Sequence, residues 1–250
     1  MIIIKTPQEI ERIRRASRIV AQILNGLKKV IKAGMSTADI EDYIVNEIKE
    51  RGAKPAFKGY RGYPASACIS VNETVIHGIP SKSKRLKDGD IVGVDIGVYL
   101  DGYFGDGAYT YQVGKVDERA SKLLKVTEEA LYMGIEKAVV GNRISDISNT
   151  IQRYVEANGF SVVKNFVGHG IGRSLHEDPQ VPNFGKAGQG CRIKEGMTLA
   201  IEPMVNEGSS EVKILSDGWT AVTADGSLSA HFEHTIAVTK NGPEILTKSE

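Results

Sequence analysis

A frame of four residues occurs twice in this chain. Gly34, Asp39, Ile40 and Gly52 recur with identical spacing as Gly141, Asp146, Ile147 and Gly159. In both copies a long helical pattern precedes the first glycine and a strand-rich stretch follows the second. Chance can produce four matches, but the shared setting favours a duplicated half of two helices followed by strands, with the join near 114–118. Strands grouped after helices predict an α+β architecture rather than an alternating doubly wound sheet. Nothing reads as a flexible linker, so residues 1–250 are expected to form a single catalytic domain, with halves of about 1–115 and 116–250.

Local signals place the elements. Thr6-Pro7-Gln8-Glu9 has the capping residue, early proline and returning glutamate of a helix start, and apolar residues at helical spacing follow to Ile31, with a stop at Gly34. Ser36-Thr37-Ala38-Asp39 opens a second helix reaching Gly52, and further helices are predicted at 117–140 and 144–158. Strands are expected near 66–71, 91–98 and 107–113, then at 161–168, 197–206, 211–215, 219–224 and 231–239.

Composition narrows the function classes. With 41% hydrophobic and 25% charged residues, the chain can bury a sizeable core. A net charge of +1 gives no general attraction to nucleic acid or membrane surfaces. Cys68 and Cys191 alone make no disulfide framework and suit a reducing compartment. Ile2–Ile4 is too short for a secretory signal, and no run approaches the roughly 20 apolar residues of a membrane span. A cytoplasmic protein is expected.

The chemistry lies in acids set among apolar strands. Asp95 interrupts Ile91-Val-Gly-Val-Asp-Ile-Gly-Val-Tyr-Leu100, where a buried charge is costly without a cation or donors. Asp106 follows the Asp101-Gly102 turn, and a hairpin there brings the two carboxylates face to face. Glu202 ends the apolar run Met197–Ile201, and Glu233 lies in the β-prone stretch His231–Val238. Each alone is readable as an ordinary strand residue. His169, between Gly168 and Gly170 with Gly172 beyond, stands where the backbone can pass close to whatever it touches. Together the five offer oxygen and nitrogen ligands suited to Mn, Fe, Co or Zn, and four carboxylates exceed the need of one small ion. A pair of cations activating a shared water is the reading that uses them all. His77 and His176 are imidazoles available to substrate, whereas His231 and His234 are read as structural.

These motifs resemble the methionine aminopeptidases, most closely the short bacterial type I form. The resemblance spans nearly the whole chain and rests on Gly59-Tyr60-Arg61-Gly62-Tyr63-Pro64, Cys68–Glu73, His77-Gly-Ile-Pro80, Asp95 with Asp106, Gly168–Gly172, Ile201-Glu-Pro-Met204 and Glu233-His-Thr-Ile236. It implies a pita-bread fold, two pseudo-symmetric αβ halves around an antiparallel, strongly curved sheet. It implies two divalent ions per chain, of Co, Mn, Fe, Zn or Ni, with His169 and Glu202 on one, Asp95 on the other, and Asp106 and Glu233 bridging. Glu202 would shuttle protons, His176 would polarise the substrate carbonyl, and His77 would contact the leaving group. Tyr60, Tyr63, Cys68, Leu175 and Trp219 would form the methionine pocket. The implied substrate is the N-terminal methionine of nascent polypeptides with a small second residue. The enzyme would work as a monomer with transient ribosome association and no nucleic-acid or membrane partner of its own. Phe57, Gly107 and Leu175 depart from the residues usual in that family. An Xaa-Pro peptidase and a non-catalytic binding protein of the same fold are the alternatives; the former usually carries an extra N-terminal domain, and the latter typically loses ligands.

Overall fold

The first helix starts where its capping residues dictate. The Thr6 hydroxyl accepts from the Glu9 N–H at 3.3 Å, while the Glu9 carboxylate accepts from the Thr6 N–H at 3.0 Å. In this computed structural model, which describes residues 1–248, that helix is α1 (Pro7–Val30). α2 (Thr37–Glu50) is closed by the same device between Ser36 and Asp39. There follow β1 (Lys54–Pro55), a short 3-10 turn at Tyr60–Gly62, β2 (Cys68–Val71), β3 (Thr74–Ile76) and a long hairpin of β4 (Ile91–Leu100) and β5 (Tyr103–Gln112). The second half restarts with α3 (Glu118–Ile135) and α4 (Ile144–Ala157). Its strands are β6 (Ser161–Val162), β7 (Gly168–Gly170), β8 (Glu177–Val181), β9 (Thr198–Ile201) and β10 (Met204–Asn206). β11 (Val212–Ile214), β12 (Ala221–Thr223), β13 (Ser229–His231), β14 (His234–Thr239) and β15 (Gly242–Ile245) complete the order.

The repeated frame has a counterpart in hydrogen bonds. Gly34 N–H donates to the Leu86 carbonyl and Leu86 N–H to that of Met35; Gly141, Ile193 and Asn142 make the same two bonds one repeat interval later. The bridges Ser36–Arg85 and Arg143–Arg192 correspond in the same way. Asp95 and Glu202 are separated by that interval too.

Every pairing among the described strands is antiparallel. β4 pairs with β1, β2 and β5, and β9 lies between β14 and β7 in the ladder β15-β14-β9-β7-β8. Side chains alternate across a strand, and in β4 the even positions Val92, Val94, Ile96 and Val98 pack with Ile23, Leu27, Ile40 and Ile44 of α1 and α2. Asp95, flanked by Gly93 and Gly97 in that alternation, therefore faces the opposite side. In the second half, Leu123, Leu131, Ile147 and Ile151 of α3 and α4 cover Leu199, Ile201, Ile236 and Val238. Each half thus has its own apolar core on the helical side.

The elements differ from the sequence reading at a few points, and one of the breaks has a local cause. The stretch 197–206 divides at Glu202-Pro203, because proline cannot donate to a ladder. The stretch 231–239 divides at Phe232-Glu233, and 161–168 resolves into β6 and the start of β7. The third helix ends at Ile135 rather than 140, and β5 begins four residues before the expected 107.

α1 lies directly on β5. A Cβ at Gly105 would stand 2.5 Å from the Ser17 nitrogen and 2.8 Å from the Ala16 carbonyl carbon, both backbone atoms that cannot swing aside. Gly105→Ala should therefore lower the unfolding free energy by about 1–3 kcal/mol in urea titration; an unchanged midpoint would show that the helix shifts without cost.

Candidate metal centre

Two hairpins and a strand break position the acids. Asp101 and Gly102 both have positive φ, 48° and 86°, as a two-residue turn of matching twist requires. This turn sets Asp95 opposite Ala108 and Asp106 opposite Gly97. The two acids are thus diagonal neighbours on one face, not face to face, and avoid the direct opposition of like charges. Glu202 follows β9. Glu233 occupies the gap between β13 and β14, and its N–H donates to the Ala108 carbonyl at 2.9 Å. Thr235 ties the hairpins together: its hydroxyl accepts from the Asp106 N–H at 3.1 Å and donates to the Asp106 carbonyl at 2.8 Å.

His169 enters from β7, where the register with β8 shifts between His169 and Gly170. Its Nδ1 lies 2.9 Å from the Gly170 carbonyl. A carbonyl only accepts, so Nδ1 carries the proton and the Nε2 lone pair is free. That Nε2 is 3.6 Å from Glu202 and 3.9 Å from Asp106. The flanking glycines answer to close packing: a Cβ at Gly168 would stand 2.4 Å from the Ala200 carbonyl oxygen, and one at Gly170 2.2 Å from that of Asp178.

All five expected ligands line one cavity of about 160 Å³. Donor atoms of Asp106, His169 and Glu233 lie within 4.8 Å of one another, and so do those of Glu202, His231 and Glu233. Asp95 stands outside these two triads, but its carboxylate interacts electrostatically with those of Asp106 and Glu202. Burial, with Gly107 N–H pulling the other way, raises Asp106 to about 7. Burial and then the neighbouring acids push Asp95, Glu202 and Glu233 well above the usual carboxylate range. Burial lowers His169 to about 4 and His231 to about 3, so both are neutral near pH 7. Asp95 Oδ1, Glu233 Oε1 and His231 Nε2 are sealed without a hydrogen-bond partner. Acids that cannot ionise together, beside oxygen and nitrogen atoms left without partners and a neutral imidazole with its lone pair directed inward, fit divalent cations.

The remaining expected residues line the same cavity: His77, His176, Tyr60, Tyr63, Cys68, Leu175 and Trp219. His176 Nδ1 is 2.7 Å from the Tyr60 hydroxyl, and its ring centroid is 4.1 Å from that of His169. Burial, then His169, lowers His176 to about 3. His77 holds a positive φ of 58°, a conformation that costs about 1–3 kcal/mol, with Phe166 and Trp219 edge-on to its ring. Tyr63 shares its hydroxyl between the Ala67 and Gly78 carbonyls, leaving its ring against Trp219. Burial raises the Cys68 thiol, so it remains an uncharged wall. Phe57 closes one side. The space beside Gly107 is taken by Val20, whose Cγ1 would lie 2.9 Å from an added Cβ.

One neighbour of the acids and one cavity residue were not selected from sequence. His231, read as structural, places Nε2 3.6 Å from Glu202; its two-residue spacing from Glu233 was the available signal. Arg61 lines the cavity and, beyond its place in the Gly59–Pro64 motif, carried no such signal. His234 lies elsewhere, bonded to Thr247 and Tyr132.

Residues 11–240 match the model of metallopeptidase family M24. The chain is 58% identical over 247 residues to a methionine aminopeptidase of Clostridium perfringens, covering 99% of each. It belongs to the methionine aminopeptidases of family M24. The solved methionine aminopeptidase of Thermotoga maritima superposes with a TM-score of 0.98 at 53% identity, covering all of both chains. A prolidase of Pyrococcus furiosus shares the pita-bread fold, with a TM-score of 0.81 at 25% identity over 99% of this chain and 66% of that one. Membership of M24 makes this chain a metallopeptidase and implies a divalent cation.

A dependence on pH follows from the acids. Carboxylates raised in the folded state hold protons that the unfolded chain releases, so stability declines as pH rises from about 4 through the folded values. Below about 6.5 the depressed histidines oppose this, because the unfolded chain protonates them first. From pH 6.5 to 8 the unfolded histidines lose only their last half-proton each, an effect smaller than that of the raised acids, so metal-free protein should melt at a lower temperature at pH 8 than at 6.5. Added Mn²⁺ should raise the melting temperature more at pH 8; equal or smaller stabilisation there would contradict an acid-lined cation site.

Proposed function

We propose that the chain removes the N-terminal methionine from nascent polypeptides and peptides, favouring a small second residue. The observation that carries this reading is one cavity that joins an acidic floor to a wall of Tyr60, Tyr63, Cys68, Leu175 and Trp219. Aromatic faces and a soft thiol suit a flexible thioether, and the relatives' name points to the same substrate. Asp95, Asp106, His169, Glu202 and Glu233 would hold two divalent cations, of Co, Mn, Fe, Zn or Ni. Bound there, such ions supply Lewis acidity and lower the pKa of water so that it attacks at neutral pH.

The protein's own groups do the rest. Glu202, between His169 and His231, takes the proton of the attacking water and passes it to the departing amine. His176, neutral and held by Tyr60, leaves Nε2 to donate to the substrate carbonyl as negative charge develops on its oxygen. His77, set edge-on to Trp219 and Phe166 in the cavity wall, faces the leaving amine. The molecule acts as one catalytic unit of two halves, about 1–115 and 116–250, in the cytoplasm, as a monomer that meets its substrates transiently at the ribosome. Among the described residues no helix is long and apolar enough to cross a membrane.

Met-Ala and Met-Gly peptides should be cleaved, whereas Xaa-Pro and N-acetylated peptides should resist; preferential Xaa-Pro cleavage would replace this reading with a prolidase-like one. Glu202→Ala and His169→Ala should each lose at least about 100-fold in kcat/KM. His176→Ala should lower kcat about 100-fold with metal content unchanged by elemental analysis; parallel loss of metal would make His176 a ligand.

A further inference from the structure

The loop between β7 and β8 delivers Leu175 and His176 to the cavity, and the N-terminal segment grips that loop from behind. Lys5 Nζ lies 2.5 Å from Glu177 Oε2, and the two side chains are only 3% and 5% exposed. The second oxygen of Glu177 accepts from the Ser174 N–H at 3.1 Å, inside the same loop. Lys5 is itself anchored: its N–H donates to the Gly196 carbonyl at 2.8 Å, and its ammonium donates to the Ile3 carbonyl at 3.1 Å. Gly172 accommodates this pair, because a Cβ there would stand 2.6 Å from Lys5 Cε and 2.7 Å from Glu177 Oε1. A further strap joins the Arg173 guanidinium to Glu9 at 3.2 Å, and Phe104 N–H donates to the Gly172 carbonyl at 2.9 Å.

A buried ion pair is a poor source of stability, since removing two charges from water offsets most of their attraction. What it does supply is geometry. Glu177 directly follows His176, so pinning its carboxylate to an anchored ammonium limits how far the neighbouring imidazole can move. We propose that the Lys5–Glu177 pair is a positioning device, locking the Gly172–Glu177 loop so that His176 and Leu175 meet the substrate already oriented. This rests on the reading of His176 as the group that faces the substrate carbonyl.

The test is a double-mutant cycle on the metal-loaded, full-length enzyme. Lys5→Met should lower kcat about tenfold, as expected when a catalytic group is slightly misplaced, and should raise KM through Leu175. Manganese content should match the parent's. In a His176→Ala background the same change should cost less than about twofold, because the group it positions is gone. The neutral pair K5Q/E177Q, which leaves no buried charge unpaired, carries the same comparison if K5M does not fold. A full tenfold loss persisting without His176, loss of manganese, or a lower melting temperature with kcat unchanged would each overturn the proposal. His176→Ala with undiminished turnover would instead sink the reading beneath it.

Discussion

Repulsion among four enclosed carboxylates is the constraint to which the rest of the structure answers. Two unit charges about 4 Å apart interact by about 4 kcal/mol at an effective dielectric near 20. A few such pairs rival the 5–15 kcal/mol net stability of a typical domain. The acids therefore either hold protons or share cations, and the raised carboxylates describe the first of these states. The neutral His169, with Nδ1 committed to a backbone carbonyl and Nε2 turned inward, prepares the second.

Holding like charges together requires a scaffold whose stability is generated elsewhere. Each half provides one by packing its helices on a single face of its strands, Val92 to Val98 under α1 and α2, and Leu199, Ile201, Ile236 and Val238 under α3 and α4. The opposite faces then contribute acids to a common cavity. Asp95 and Glu202, one repeat interval apart, are the same contribution made twice. Thr235 and the Glu233–Ala108 bond join the hairpins across the seam, so the acids are held by backbone rather than by long side chains.

The parts legible in sequence were those where a residue contradicts its surroundings. An aspartate in Ile91–Leu100 and a histidine between glycines are locally anomalous, and both line the cavity. The apolar cavity residues were less legible: Tyr63, Leu175 and Trp219 look like ordinary core, and only the family resemblance singled them out. Register was within reach, because the Asp101-Gly102 turn alone sets Asp95 opposite Ala108 and so makes Asp106 its diagonal neighbour rather than its face-to-face partner. The strand break at Glu233 was missed because nothing like Pro203 marks it in the chain. His231 was passed over as one of two similar histidines, although only its neighbour His234 bonds away from the acids. Lys5 and Glu177 are each unremarked surface types by composition; their union is a long-range fact that no local pattern encodes.

The glycines beside His169 have a bearing on how substrate range could evolve. Gly168 and Gly170 press against main-chain oxygens, and Gly172 presses against the Lys5–Glu177 pair, so no side chain can be added there without moving a strand or that pair. Mutational drift on that wall is closed. On the proposed reading, new preferences for the first residue of a substrate would arise at Tyr60 and Trp219, because Tyr63 is tied to the Ala67 and Gly78 carbonyls and Phe57 packs on Gly97 of β4.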